Sequence, residues 1–324
     1  MTSYRDAGVD LEAARRHVSS ISSSVTATWT KQVVGLFGGF AAGVEVPGGY
    51  QQPVLMMTTD GVGTKLELAR RTGIWDGVGF DLVAMCVDDL ATVGARPLGF
   101  VDYMAIGSLQ STRDTSIVDS IARACIAAGC PLLGGETAEH PGVMADDAVD
   151  LAGAAMGVVE KTDQIGPHLV ETGDVVIGLE SPNLRSNGFS LVRRVLRDEV
   201  DRHARTLLEP SVIYSPSVLA AIAGGGVHAA AHVTGGGISE NLERALPEGV
   251  GAEIETAAWS TPDVYSLLSE KGVERDELYA TFNMGIGFCL VVDPNSVAEV
   301  TEQVKLHNPS PIGKVVAGEG VRLS

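Results

Sequence analysis

Aromatic residues are scarce in this chain: Phe, Trp and Tyr together make up 5% of its 324 residues. So few rings argue against a site built from stacking platforms. The 39 glycines point instead to loops whose backbone meets a ligand. Cysteine is as sparse, and Cys86, Cys125, Cys130 and Cys289 form no C-x-x-C pair. All four sit inside apolar segments, which predicts buried, reduced thiols in a cytoplasmic protein. Cations are short too, with 23 Lys and Arg against 41 Asp and Glu and a formal charge of −18. That balance excludes nucleic acid and anionic membranes as main partners. No apolar run approaches the ~18 residues of a membrane span, and no secretory segment opens the sequence. What remains is 45% hydrophobic and 20% charged, a globular composition whose length predicts about two domains.

The stretch Thr58-Thr59-Asp60-Gly61-Val62-Gly63-Thr64-Lys65 lies where an apolar strand, Val54 to Met57, turns into a helix beginning near Leu66. Asp-Gly permits a tight turn, and Gly63 permits close approach to the backbone. Free N–H groups at the helix start face an anion, and Lys65 adds a point charge. Asp60 would repel a phosphate unless a divalent cation stands between them, so the chemistry implied is metal-nucleotide binding. The spacing is not that of a P-loop. An ordinary strand–turn–helix corner explains the same residues, and the octet alone leaves both readings open.

Strands and helices alternate along the rest. The first fifty residues are least regular, with a helix from Leu11 to Ile21 and loop through Ser22–Ser24 and Gly35–Gly49. Val78 to Val93 is helical, and its Asp81, Asp88 and Asp89 fall on one face. Such acids are either a solvated stripe or hold a cation. A strand over Pro97–Met104, a helix from Ser111 or Thr112 to Ala128 and a short strand Pro131–Leu133 follow. The last runs into a loop, Gly134-Gly135-Glu136-Thr137-Ala138-Glu139. A strand over Leu151–Val159 precedes a polar junction, Lys161 to Asp174, which divides the chain into domains 1–165 and 166–324. Beyond it, the strand Val175–Leu179 leads into the loop Arg185-Ser186-Asn187-Gly188 and a helix from Phe189 to Asp198. His228 and His232 lack a third ligand, which argues against zinc. Thr234-Gly235-Gly236-Gly237 opens the helix Ile238–Ala245, a second anion cradle. A strand Phe288–Val292, a helix Ser296–His307 and a strand around Ile312–Val316 close the chain. The expected fold is mixed α/β, with two sheet-plus-helix domains.

Taken in order, these segments resemble the phosphoribosylformylglycinamidine cyclo-ligase (aminoimidazole ribonucleotide synthetase) family. The matching segments include Tyr4–Asp10 (YRDAGVD), Thr59–Lys65 (TDGVGTK), Gly79–Leu90 (GFDLVAMCVDDL), Leu133–Gly142 (LGGETAEHPG), Ser186–Arg193 (SNGFSLVR) and His228–Asn241 (HAAAHVTGGGISEN). They span almost the whole chain. The resemblance implies a homodimer formed through N-terminal strands, a magnesium-ATP site, and ATP-dependent ring closure of formylglycinamidine ribonucleotide in purine biosynthesis. It implies magnesium on Asp60, Asp88, Asp89 and Glu136, and ATP on Asp60, Gly61, Gly63, Thr64, Lys65 and Gly135. The ribonucleotide falls to Arg185, Ser186, Asn187, Gly188, Thr234, Gly235 and Gly236. Lys65, Asp89 and His232 are the candidates for catalysis.

The chain departs from the family pattern at Asp88, where Asn is usual, at Pro182-Asn183, where small residues are usual, at Arg185, where His is usual, and at Ser211-Val212, where Thr-Arg is usual. Arg185 is expected to hold the ribonucleotide phosphate. The changes at Arg185 and Val212 keep open a non-catalytic nucleotide-binding paralogue. Other ATP-using enzymes of the superfamily, such as selenophosphate synthetase or thiamine-phosphate kinase, are the nearest rivals. The absence of any Cys before Cys86 counts against the first.

Overall fold

The computed structural model describes residues 8–324; the first matching segment falls outside it from Tyr4 to Ala7. Helix α1 (Leu11–Ala27) opens where Asp10 accepts hydrogen bonds from the N–H groups of Glu12 and Ala13, at 3.0 and 3.2 Å. It continues through Ser22–Ser24, expected to be loop, because Val25 is buried in the core and Ser24 bonds to Asp119. A two-residue ribbon, β1 (Val33–Val34) with β2 (Gly43–Val44), interrupts the glycine-rich stretch.

Next come β3 (Pro53–Gly61), α2 (Lys65–Thr72), α3 (Val78–Ala91), β4 (Arg96–Ile106), α4 (Ser111–Ala128), β5 (Leu132–Glu139) and β6 (Val149–Glu160). The four strands form one sheet in the order β3-β6-β4-β5, with only the β4–β5 pair parallel. Helices α3 and α4 pack closely together over one face. A Cβ at Gly79 would lie 2.1 Å from the Ile121 nitrogen, so only glycine fits that crossing. Strand β5 holds a correction: Gly134–Glu139, read as a loop, continues the strand and pairs with β4 through Glu139.

The second sheet follows the order β12-β9-β11-β7-β10-β8, built from β7 (Val175–Glu180), β8 (Val227–His232), β9 (Val250–Ile254), β10 (Ile286–Val292), β11 (Ser310–Ala317) and β12 (Val321–Leu323). Its connections carry α5 (Phe189–Leu196), α6 (Ala204–Leu207), α7 (Ser215–Gly224) and α8 (Gly237–Glu243). Strand β9 and the helices Asp263–Glu270 and Arg275–Thr281 were not expected; at five to eight residues they are too short to show a period. The expected class, two sheet-plus-helix units in a mixed α/β chain, is what the structure shows. The four cysteines are buried and unpaired. No helix among the described residues is long and apolar enough to cross a membrane.

The largest apolar core ignores the junction at 161–174. Leu82, Phe100 and Ile121 from the first half share it with Leu184, Phe189 and Phe282 from the second. Two buried ion pairs accompany this shared core. The Lys65 ammonium, fully buried, lies 2.8 Å from Asp81 Oδ2 and donates to the carbonyls of Arg185 and Glu209 at 3.1 and 2.9 Å. Burial pushes the Lys65 ammonium down and the Asp81 carboxyl up, each opposed by the other's charge. Seven residues along α3, Asp88 Oδ2 lies 3.0 Å from a fully buried Arg185 guanidinium nitrogen.

Removing one partner of such a pair strands a charge in a low dielectric. Lys65→Met should therefore cost about 3–5 kcal/mol of folding stability in urea titrations. Adding Asp81→Asn should recover much of the loss, since the amide oxygen can still accept from Ser211, whose N–H and hydroxyl bond to Asp81 Oδ1. A loss below about 1 kcal/mol in the single variant would contradict the buried pair.

Candidate active site

A cavity of about 450 Å³ opens between the two sheets. Asp60 reaches it from the end of β3, Asp89 from the last turn of α3, and His232 from the end of β8. Asp89 keeps 42% of its side chain exposed while both oxygens are held. Oδ1 lies 2.9 Å from His232 Nδ1, and Oδ2 accepts from the Thr58 hydroxyl at 3.2 Å. Partial burial raises the Asp60 carboxyl above the usual carboxylate range; the Gly61 N–H opposes this, and the neighbouring Asp89 charge adds to it. Two acids that reach one cavity from separate elements suit an oxygen-seeking divalent cation.

The other two acids expected at the metal are elsewhere. Asp88 is fully buried, with Oδ1 accepting from the N–H groups of Tyr214 and Ser215, each at 2.9 Å, and Oδ2 engaged by Arg185. It has no oxygen to offer the cavity. Glu136 stands on β5, the strand at the opposite edge from β3, three strand spacings or about 14 Å away. Among the described residues no three His, Cys, Asp or Glu side chains gather into a metal site.

Lys65 and Arg185 are corrections of the same kind. Lys65 was expected on ATP phosphates, but its three donors are spent on Asp81 and two carbonyls beneath the surface. Arg185 was expected on the ribonucleotide phosphate, yet it is wholly buried. It donates to the Val212 carbonyl at 2.8 Å and to Asp88, and stands 2.8 Å from His232 Nε2. Its backbone is left-handed, at φ 56°, a conformation held by its N–H bond to Asn183 Oδ1. Both long cations of these motifs look inward because α3 presents acids there.

The two glycine-bearing loops do meet. Gly188 begins α5 at φ 77°, where any Cβ would strike the Phe282 ring, and Asn187 Oδ1 lies beside Gly235. Gly63, also left-handed at φ 68°, stands in open space before Thr64, whose hydroxyl is 3.1 Å from that of Ser190. Asn241 and Arg244, which drew no attention in the sequence, border the cavity. The Asn241 amide donates to the carbonyls of Gly235 and Gly237 at 3.1 and 2.8 Å, and so fixes the 234–237 loop. Arg244 lies on the exposed side of that loop as a cation beside an acidic cavity. Its spacing of three from Asn241 along one helical face is the signal that would have found it.

Gly135 and Glu136 instead border a second cavity of about 580 Å³, between α1, the Leu36–Ala42 loop and β5. There His17 is buried with neither ring nitrogen bonded, and burial lowers its pKa against the charge of Asp114. Asp102, tucked against Gly135, has its carboxyl pushed up to about 7 by burial.

The sequence profile described as AIR synthase related protein, N-terminal domain, matches residues 41–159, and its C-terminal counterpart matches 171–324. Phosphoribosylformylglycinamidine cyclo-ligase of Thermosynechococcus vestitus is 46% identical, covering 98% of this chain and 97% of its own. That of Synechococcus sp. (strain CC9605) is 44% identical, covering 97% and 95%. The hydrogenase maturation protein HypE, solved in complex with ATP, shares the fold at a TM-score of 0.70 and 17% identity, covering 96% of this chain and 89% of its own. The chain belongs to the phosphoribosylformylglycinamidine cyclo-ligase family of AIR synthase related proteins.

The Asp102 carboxyl carries a signed pH dependence. An acid whose pKa is raised by folding costs stability as pH climbs from its unfolded value near 4 to its folded value near 7. Asp102→Asn should therefore raise the melting temperature at pH 8 by more than at pH 5. An equal shift at both values would show that Asp102 ionises freely in the folded protein.

Proposed function

We propose that this chain closes the imidazole ring of formylglycinamidine ribonucleotide, using ATP, to give aminoimidazole ribonucleotide, ADP and phosphate. Relatives named as cyclo-ligases at 44–46% identity over nearly the full length support the reaction. The observation that carries the geometry is the cavity where Asp60 and Asp89 converge with His232 and Thr234. An amide oxygen is a poor leaving group. Transfer of the γ-phosphoryl to the formyl oxygen makes it one, and the neighbouring nitrogen then attacks the same carbon and expels phosphate. Such chemistry asks the protein for placement and charge stabilisation more than for covalent help.

Asp60 and Asp89 are the residues fitted to hold magnesium, which would neutralise phosphate charge when bound. The Gly61–Thr64 turn lies next to Asp60, where its backbone suits ATP phosphates. Gly135, on the second cavity, is left for another part of the nucleotide. Thr234 lines the cavity from the other side, and the 234–236 loop with the adjoining Ser186–Gly188 loop is assigned to the ribonucleotide, with Arg244 as a cation on the cavity lining. ATP use accords with the ATP-bound state of the HypE structure, which has this fold. Arg185, one of the two departures that left a non-catalytic reading open, is buried away from the cavity and donates to the backbone carbonyl of the other, Val212.

The chain is further proposed to act as a homodimer. The face of the first sheet away from α3 and α4 exposes Leu55, Met57, Val101 and Tyr103. Alternate residues of paired strands share a face, so these four lie on one apolar face that runs from the edge strand β3 across β6 to β4. A second copy of the same face would cover it, with more than roughly 1,000 Å² buried. Met57→Asp should convert the dimer to a monomer in light scattering at micromolar concentration. A stable, active monomer of the unaltered chain would refute the assembly.

Release of ADP and phosphate should depend on formylglycinamidine ribonucleotide. Asp60→Asn should abolish turnover at limiting magnesium or raise the magnesium requirement by about tenfold or more. Release of ADP without the ribonucleotide would overturn the reaction, and near-normal turnover in the variant would overturn the metal assignment.

A further inference from the structure

Arg185 touches two other positions at which a departure from the family pattern was read, Asp88 and Val212. Arg185 donates to the Asp88 carboxylate at 3.0 Å and to the Val212 carbonyl at 2.8 Å, and the Tyr214 ring lies 5.0 Å from its guanidinium carbon. The same Nη2 atom stands 2.8 Å from His232 Nε2. A guanidinium has donors and no acceptor, so in this contact Nε2 must accept. The hydrogen of the imidazole then resides on Nδ1, where it is donated to Asp89 Oδ1 at 2.9 Å. His232 is held at both ends, with 2% of its side chain exposed and its ring stacked 6.0 Å from Phe288.

We propose that Arg185 is a positioning residue: through a single tautomer of His232 it fixes the orientation in which Asp89 presents its carboxylate to the cavity. Asp89 is the end of a chain of contacts, Asp88–Arg185–His232–Asp89, that begins inside the core and finishes at the open site. Thr58 holds the second Asp89 oxygen from β3, so the carboxylate is clamped from two directions. With both His232 nitrogens engaged, this histidine orients Asp89 and moves no substrate proton. Asp88 supplies the countercharge that makes a buried guanidinium tolerable, and its own position is set by two backbone N–H groups. Val212 contributes its backbone carbonyl. A lysine at 185 would keep the charge, but a single ammonium cannot copy the planar fork that serves Asp88, Val212 and His232 together.

The assignment rests on the proposed role of Asp89, and its first readout needs no turnover. In protein labelled with ¹⁵N-histidine, the imidazole couplings of His232, identified by their loss in His232→Gln, should show the Nδ1–H tautomer alone. Arg185→Lys should populate the Nε2–H form as well. It should lower kcat by about tenfold to a hundredfold while the ribonucleotide KM stays within about twofold. If Arg185→Lys does not fold, Asp88→Asn/Arg185→His, which removes both buried charges together, takes its place with the same two readouts. An Nε2–H tautomer in the unaltered protein would overturn the proposal. So would an unchanged tautomer in the variant, or a tenfold rise in ribonucleotide KM with kcat intact, which would mark direct contact with substrate. Correct tautomer behaviour in a chain without cyclo-ligase activity would instead count against the proposed reaction alone.

Discussion

Helix α3 carries two acids into the interior, and the arrangement of the molecule follows from how they are neutralised. Asp81 and Asp88 are separated by seven residues, two helical turns, and so face the same way. Their countercharges come from far along the chain: Lys65 from the start of α2 and Arg185 from the loop after β7. The remaining lone pairs are met by N–H groups of Ser211, Tyr214 and Ser215. Segments that would otherwise be irregular surface loops are thereby pinned to one helix. Buried pairs of this kind add little net stability compared with apolar packing, yet they tolerate little displacement, because a charge without its partner is expensive. They decide where the glycine-bearing loops stand.

With the long cations drawn inward, the cavity is furnished mainly by short groups. Two carboxylates, Thr92, Thr234 and an imidazole line it, and Arg244 is a cation at its border. That division suits phosphoryl transfer, which needs oriented dipoles and a metal more than a nucleophile. It also suits a chain with so few aromatic residues. The first sheet contributes its strand end and α3, the second contributes β8 and α8, and neither forms the cavity alone.

Element type was legible wherever a segment was long. Strand β3, helices α3 and α4, and the glycine-led start of α8 could be read from apolar periodicity and from glycine placed after it. The common face of Asp81, Asp88 and Asp89 was legible as well, since it follows from helical geometry. What occupied that face was not legible: the sequence offers no local sign that Lys65 and Arg185, rather than a metal ion, answer those acids. The choice is made by tertiary neighbours 16 and 97 residues distant. Gly134–Glu139 was misread as a loop for a related reason. Two glycines suppress strand propensity, and only pairing with β4 makes the segment extended. Glu136 was placed with the wrong acids because a motif gives residue types and no strand order.

The shared apolar core and the two ion pairs have a consequence for motion. Many two-part enzymes open and shut by rotating their halves about a hinge beside the site. Here such a rotation would pull Arg185 from Asp88 and Lys65 from Asp81 while exposing Phe189 and Phe282 to water. Each step costs several kcal/mol, so the shared core and the ion pairs oppose such a rotation. The Leu36–Ala42 stretch, with Leu36 and Phe40 exposed and a two-residue ribbon beside it, borders the second cavity instead, where its displacement would leave both ion pairs in place.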